Sequence, residues 1–181
     1  YVVSASGDNT VRITSLDNGK LVRVIKGHTD WVRSVCVTSD NKYVVSGSDD
    51  KIVRITRLDT GKLVGVIKGH MNYVTDVCVT LDNKYVVSAS LHKILLITRL
   101  HDGKLIKKYA LGANPLSIHI SSNQHHIVVA CEDGSFRIFR TPIYLLRRRW
   151  AQLLLWKHTF KLFQKYPGLI RYIGIKLLLF C

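Results

Sequence analysis

YVVSGSDDKIVRITRLDTGKLVGVIKGHMNYVTDVCVTLDNK, residues 43–84, recurs along the chain. Moved back by 42 positions it lies on residues 1–42 with 29 identities. Moved forward it matches residues 85–105 through YVVSAS, LLITRL and DGKL, and a shorter fourth copy begins at Ile127 with IVVACEDGSFRIF. Self-similarity at a fixed period of this length is the signature of a repeat architecture, so the unit has to be read before any local motif.

Within the unit, four runs rich in Val, Ile and Thr alternate with turn residues, which predicts strands over Tyr43–Ser48, Ile52–Leu58, Leu63–Lys68 and Tyr73–Thr80. The turn Asp59-Thr60-Gly61 can carry Gly at positive φ, as a tight hairpin requires. A single four-stranded antiparallel sheet with two apolar faces cannot stand alone, whereas consecutive sheets stacked face to face bury both.

These residues resemble the WD repeat of β-propellers. Gly27-His28 and Gly69-His70 match its Gly-His element. Ser4-Ala5-Ser6 and Ser46-Gly47-Ser48 match its second strand, and Asp8 and Asp50 match its turn. The Trp-Asp dipeptide is absent: its positions hold Thr14-Ser15, Thr56-Arg57, Thr98-Arg99 and Phe139-Arg140. The resemblance covers residues 1–140 and implies an all-β propeller segment of about four four-stranded antiparallel blades. It also implies a hydrogen-bonded chain through each sheet, formed by His28, Ser46 and Asp50 in one blade and begun by His70 and Ser88 in the next. That next blade has His92 where Asp belongs. Thr in place of Trp removes a large ring and an N–H donor, so these blades are expected to be less stable than Trp-bearing ones.

In chain order, residues 1–26 supply three strands of a first blade, and residues 27–110 complete two more. After Tyr109 the copies diverge: Leu111-Gly112 replaces Gly-His, and Asn123-Gln124-His125-His126 replaces Asp-Asn-Lys. The fourth blade runs to Arg140, with Ile143–Leu146 as a candidate outer strand. Nearly four blades of the wide type would leave an open arc with two exposed edges. A start at Tyr1, inside a strand, points to a fragment of a larger multidomain protein.

Residues 141–181 form a second region, a basic hydrophobic tail. The first 140 residues hold 19 Lys and Arg against all 12 acids, while the remaining eight basic residues have no acid among them. The tail is expected to be helical over Ile143–Tyr166 up to Pro167-Gly168, with no clean apolar face. Its end, Arg171–Phe180, could instead be a strand that covers an open edge. No run of 18 apolar residues occurs, so no spanning helix is indicated. Cys36 and Cys78 share one repeat position inside V-C-V-T, Cys131 and Cys181 follow, and no C-x-x-C spacing exists. They read as buried strand thiols of an intracellular, cytoplasmic protein.

No nucleophile elbow, zinc-protease helix or phosphate loop occurs, and the one glutamate, Glu132, lies in a turn. The sequence is therefore read as non-enzymatic, without cofactor or metal. His28 and His70 are read as sheet-tying groups, and His125-His126 as a solvated turn. Repeats one and two differ at 13 positions, five of them between Thr29 and Ser34. There Thr29-Asp30-Trp31 with Arg33-Ser34 becomes Met71-Asn72-Tyr73 with Thr75-Asp76. The resemblance puts this loop on the face that contacts partners, so Asp30, Trp31, Arg33, Asn72 and Tyr73 are candidates for binding proteins or peptides. The competing reading has Trp31 and Tyr73 packed between blades. The function expected is a non-catalytic protein-interaction scaffold. The alternative is membrane-surface or nucleic-acid binding through the basic tail.

Overall fold

Val, Ile and Thr stiffen the chain at χ1 and pack well on a pleated surface, and the strands form where they cluster. A computed structural model describes residues 1–143. The chain divides into two units, Tyr1–Phe139 and Arg140–Cys181. The tail helix and the edge-covering strand expected beyond Ile143 lie outside the described residues. Ile143 itself has helical backbone, so the outer strand expected to begin there does not.

Among the described residues, fourteen strands make four sheets, each built from consecutive strands. The first sheet contains β1 (Val2–Ala5), β2 (Val11–Thr14) and β3 (Leu21–Ile25). The second contains β4 (Val32–Val37), β5 (Tyr43–Ser48), β6 (Val53–Arg57) and β7 (Leu63–Ile67). The third repeats it with β8 (Val74–Val79), β9 (Tyr85–Ser90), β10 (Ile94–Arg99) and β11 (Leu105–Ala110). The fourth holds β12 (Pro115–Ile120), β13 (His126–Cys131) and β14 (Phe136–Arg140). The fold is all-β, but only the second and third sheets have four strands among the described residues. Pairing is antiparallel within them.

The turns repeat as closely as the strands. Gly19, Gly61 and Gly103 take φ of 66°, 74° and 67° in the Asp-x-Gly position. In the turns between β1 and β2, β5 and β6, and β9 and β10, the left-handed residue is Asn9, Lys51 and Lys93, with φ of 68°, 70° and 60°. Asn tolerates that region through local hydrogen bonding, and lysine has no such help.

Strand alternation divides the core. Val44 joins a cluster with Val11 and Val32, on the side of the first sheet. Its neighbour Val45 points the other way, into a cluster with Val53, Ile55, Ile67, Val74, Val77 and Val86. Val87 in turn faces Leu95, Ile97, Ile118, Ile127 and Val129. Each middle sheet is thus apolar on both faces and is covered by the sheets before and after it.

The inner strands β4, β8 and β12 lie side by side, and one carboxylate joins them. Asp76 accepts the Ser34 hydroxyl at 2.6 Å and the backbone N–H of Ile118 at 2.6 Å. Residues 34, 76 and 118 are spaced by 42, so a single repeat position links three sheets. The signature-dipeptide positions are filled quietly: Thr56 and Thr98 are buried, and Thr98 donates its hydroxyl to the Val86 carbonyl. His125 and His126 are half-buried with their rings 6.4 Å apart, and His126 opens β13. Only His126 departs from the solvated turn expected there; His125 lies in the bend before β13.

Candidate functional site

The loops before β4 and β8 are each positioned from below by a histidine. In the second sheet, His28 Nδ1 lies 2.7 Å from Asp50 Oδ2, and its Nε2 lies 2.8 Å from Ser46 Oγ. The side chains of His28 and Asp50 are both 4% exposed. Burial pulls the imidazole below its usual pKa, against the opposing pull of Asp50. Burial raises Asp50, but the hydrogen bond and charge of His28, with the N–H groups of Thr29 and Ile52, more than offset it and hold the carboxyl low. A neutral imidazole beside a carboxylate fixes the tautomer: Nδ1–H donates to Asp50, and Nε2 accepts the Ser46 hydroxyl.

The third sheet has a different tie. His70 Nε2 contacts Ser88 Oγ at 2.7 Å, as His28 does with Ser46. Its Nδ1 faces the position of His92, whose own Nδ1 bonds Ser90 Oγ. The two rings stand edge to face, 5.5 Å between centroids, and His70 Nδ1 and His92 Nε2 are buried without a hydrogen-bond partner.

Above these ties sit the loops where the repeats diverge. Trp31 is 53% exposed and Tyr73 40% exposed, at matching positions. The carbonyls of Trp31, Tyr73 and Asn114 accept the N–H groups of Asp49, Leu91 and Glu132, at 2.9, 3.0 and 2.9 Å, which pins each loop to the neighbouring turn. One face of the Trp31 ring rests on Gly7 of the preceding sheet, where an added Cβ would sit 3.6 Å from it. The Arg33 guanidinium lies 5.1 Å from the ring centroid. Trp31 therefore both packs on the neighbouring blade and presents about half its surface.

Arg33 is less free than the sequence reading expects. Its Nε and Nη2 fork onto Asp49 at 2.9 and 2.7 Å, and Asp49 is buried. Asp30 and Asn72 bond within their own loops: each accepts, at 2.8 Å, the backbone N–H of the following aromatic residue. They shape the loop and are half-exposed.

The sequence reading misses the bulges. Register slips between Val32 and Ser34, Val74 and Asp76, and Pro115 and Ser117. The extra residues are Arg33, Thr75 and Leu116, and a bulge re-aims the side chain it carries. All three line one open cleft of about 260 Å3, completed by Tyr73, Leu91 and Pro115. The V-x-x-V shared by β4 and β8 carries the signal, but reading it as a bulge requires the partner strand's register.

Among the described residues no cluster of three or more His, Cys, Asp or Glu could hold a metal ion. No described helix is long and apolar enough to cross a membrane.

The WD domain, G-beta repeat family matches residues 19–56 and 61–97, which span His28, Ser46 and Asp50 in one segment and His70, Ser88 and His92 in the next. These are WD40 repeats. The matched residues run from β3 of the first sheet to β10 of the third. A 42-residue segment, 23% of the chain, is 45% identical to nuclear distribution protein PAC1-2 of Uncinocarpus reesii (strain UAMH 1704) and covers 9% of that relative's length. WD40 repeats are generally non-catalytic and generally bind other proteins. The present WD40 repeats depart from the pattern in lacking Trp-Asp and in substituting His92 at the third-blade aspartate.

Proposed function

We propose that this WD40 segment is a non-catalytic scaffold that docks a protein or peptide on the rim formed by Trp31, Tyr73 and the bulge residues Arg33, Thr75 and Leu116. The observation that carries the reading is the pair of half-exposed aromatics at matching repeat positions, beside a cleft of about 260 Å3. Large rigid aromatics over a partly apolar cleft are the usual anchors of protein interfaces. Asp49 holds Arg33 in place, so its planar group stands ready as a platform rather than being ordered on binding, which lowers the entropic cost of docking. Leu116 and Met71, both well exposed, extend the apolar surface.

The test is selection of peptides from a displayed random library on the full chain, followed by affinity measurement on Trp31→Ala and Tyr73→Ala. Selected peptides should lose at least tenfold in affinity on one or both variants. Peptides that bind both variants as tightly as the native chain would remove the rim as the docking site.

A further inference from the structure

We propose that the third blade is an acid-sensitive latch, in which proton uptake by the adjacent His70 and His92 releases the loop Met71–Tyr73 more steeply with falling pH than the second blade, tied by His28 and Asp50, opens. The latch goes beyond docking, and its test needs no partner.

The two middle blades differ at one pair of positions. Residues 28 and 70 occupy one repeat position, and residues 50 and 92 another. In the second blade the pair is His and Asp, joined at 2.7 Å. In the third it is His and His, with both inner nitrogens buried and unpartnered. The groups around the third pair come from every neighbouring element: Ser88 and Ser90 on β9, Leu96 on β10 under Gly69, and Lys108 on β11, which pairs with Leu96. Among the described residues, none of these supplies a negative charge. A proton on His70 would create a buried cation, and one on His92 a partly buried one, each next to a second imidazole and near a lysine, which opening to water relieves.

The direction follows from geometry and is reinforced by the titration. Burial, His92 and Lys108 pull His70 from its usual 6.5 down to about 4, and burial and Lys108 lower His92 too. A histidine held below its unfolded value contributes stability that is complete above pH 6.5 and lost as pH falls toward the folded value. Opening the third blade therefore takes up as many as two protons in this window. Opening the second takes up at most one, on His28, because Asp50 stays ionised until lower pH. Met71–Tyr73 directly follows His70 in the chain, so the loop is the first segment freed.

Amide hydrogen exchange on the full chain between pH 7 and 5, corrected for intrinsic exchange, tests the latch. The opening constant over Met71–Val79 should rise by more than about tenfold per pH unit, and that over Thr29–Val37 by about tenfold at most, since each proton taken up contributes about tenfold per unit. His92→Asp should bring the third blade down to the slope of the second. Equal slopes in the native chain, or an unchanged slope in His92→Asp, would overturn the latch. Should His92→Asp not fold, the ring-proton NMR titration of native His70 decides: a midpoint near 4 supports the latch, and one at 6.5 or above overturns it.

Discussion

The Cβ that Gly47 lacks would sit 2.6 Å from Val74 Cγ1, with Val77 Cγ1 at 2.8 Å. The glycine is thus the surface on which the third blade's inner strand lands. Ala5 and Ala89 hold the same position in the neighbouring repeats, so alignment of the repeats would recommend Gly47→Ala as harmless. Packing says otherwise, because both valines are buried and have no room to retreat. Gly47→Ala should destabilise by about 1–3 kcal/mol, the usual cost of overpacking a core, measured by urea unfolding.

Asp76 gives a second prediction about how sheets are joined. Its two oxygens accept Ser34 Oγ and the Ile118 N–H from opposite neighbours. Asp76→Ala strands both donors at the inner edges and should cost about 1–3 kcal/mol for each that stays dry. Asp76→Asn can accept from Ile118 and donate to the Ser34 oxygen, so it should recover most of that loss. Equal destabilisation by Ala and Asn in thermal melts would mean that charge, rather than hydrogen bonding, joins the strands.

Lysines 51 and 93 sit in the left-handed region where repeat one has Asn9. A residue with a Cβ and no local hydrogen bond loses about 1–2 kcal/mol there, and asparagine loses less. Lys51→Asn and Lys93→Asn should each raise stability by about 0.5–1 kcal/mol, and the two effects should add because the turns belong to different sheets. Chemical denaturation of the single and double variants reads the additivity.

Most of the fold was legible because the repeat is so regular. The Val, Ile and Thr runs marked the strands, the resemblance to the WD repeat implied the grouping of His28, Ser46 and Asp50, and comparison of copies exposed the oddity of His92. What escaped were features that depend on register between strands or sheets. The bulge that turns Arg33 toward the rim is invisible until β4 is set against β5. The bonds of Asp30 and Asn72 to the next backbone N–H depend on loop backbone, and the fork of Arg33 on Asp49 spans 16 residues. His126 looked like a turn residue because its neighbours Asn123 and Gln124 are polar, yet tertiary packing draws it into β13.

His28 is the group on which the second blade's loop rests. Its removal leaves Asp50 Oδ2 with the Thr29 N–H at 3.2 Å as its remaining partner, in a site closed to water. His28→Ala should therefore cost about 1–3 kcal/mol. In a double-mutant cycle with Asp50→Ala the two losses should fall short of their sum, because the second substitution removes the unpaired charge left by the first. Additive losses would place the two side chains outside one tie.

Trp31 separates folding from docking. Half of its ring rests on Gly7 and under Arg33, and the other half faces solvent at the mouth of the loop. Its backbone carbonyl, which holds Asp49 N–H, survives substitution, and so do the Arg33 fork and the His28 tie beneath it. Trp31→Ala should then lower stability modestly, because it removes only the packing of the indole on Gly7 and Arg33. Its effect on a rim-bound partner should be larger, about 2 kcal/mol or more, as for truncated interface anchors. Tyr73→Ala makes the matching case in the third blade, where Thr75 replaces the guanidinium and Leu91 replaces Asp49, so the tyrosine lacks the cationic cover. The ratio of binding loss to stability loss is the quantity to measure, by titration calorimetry and thermal melting on the same preparations. A ratio well above one for Trp31 marks an anchor. A ratio near or below one means that the indole serves the seam between blades, and docking then has to be sought elsewhere on the rim.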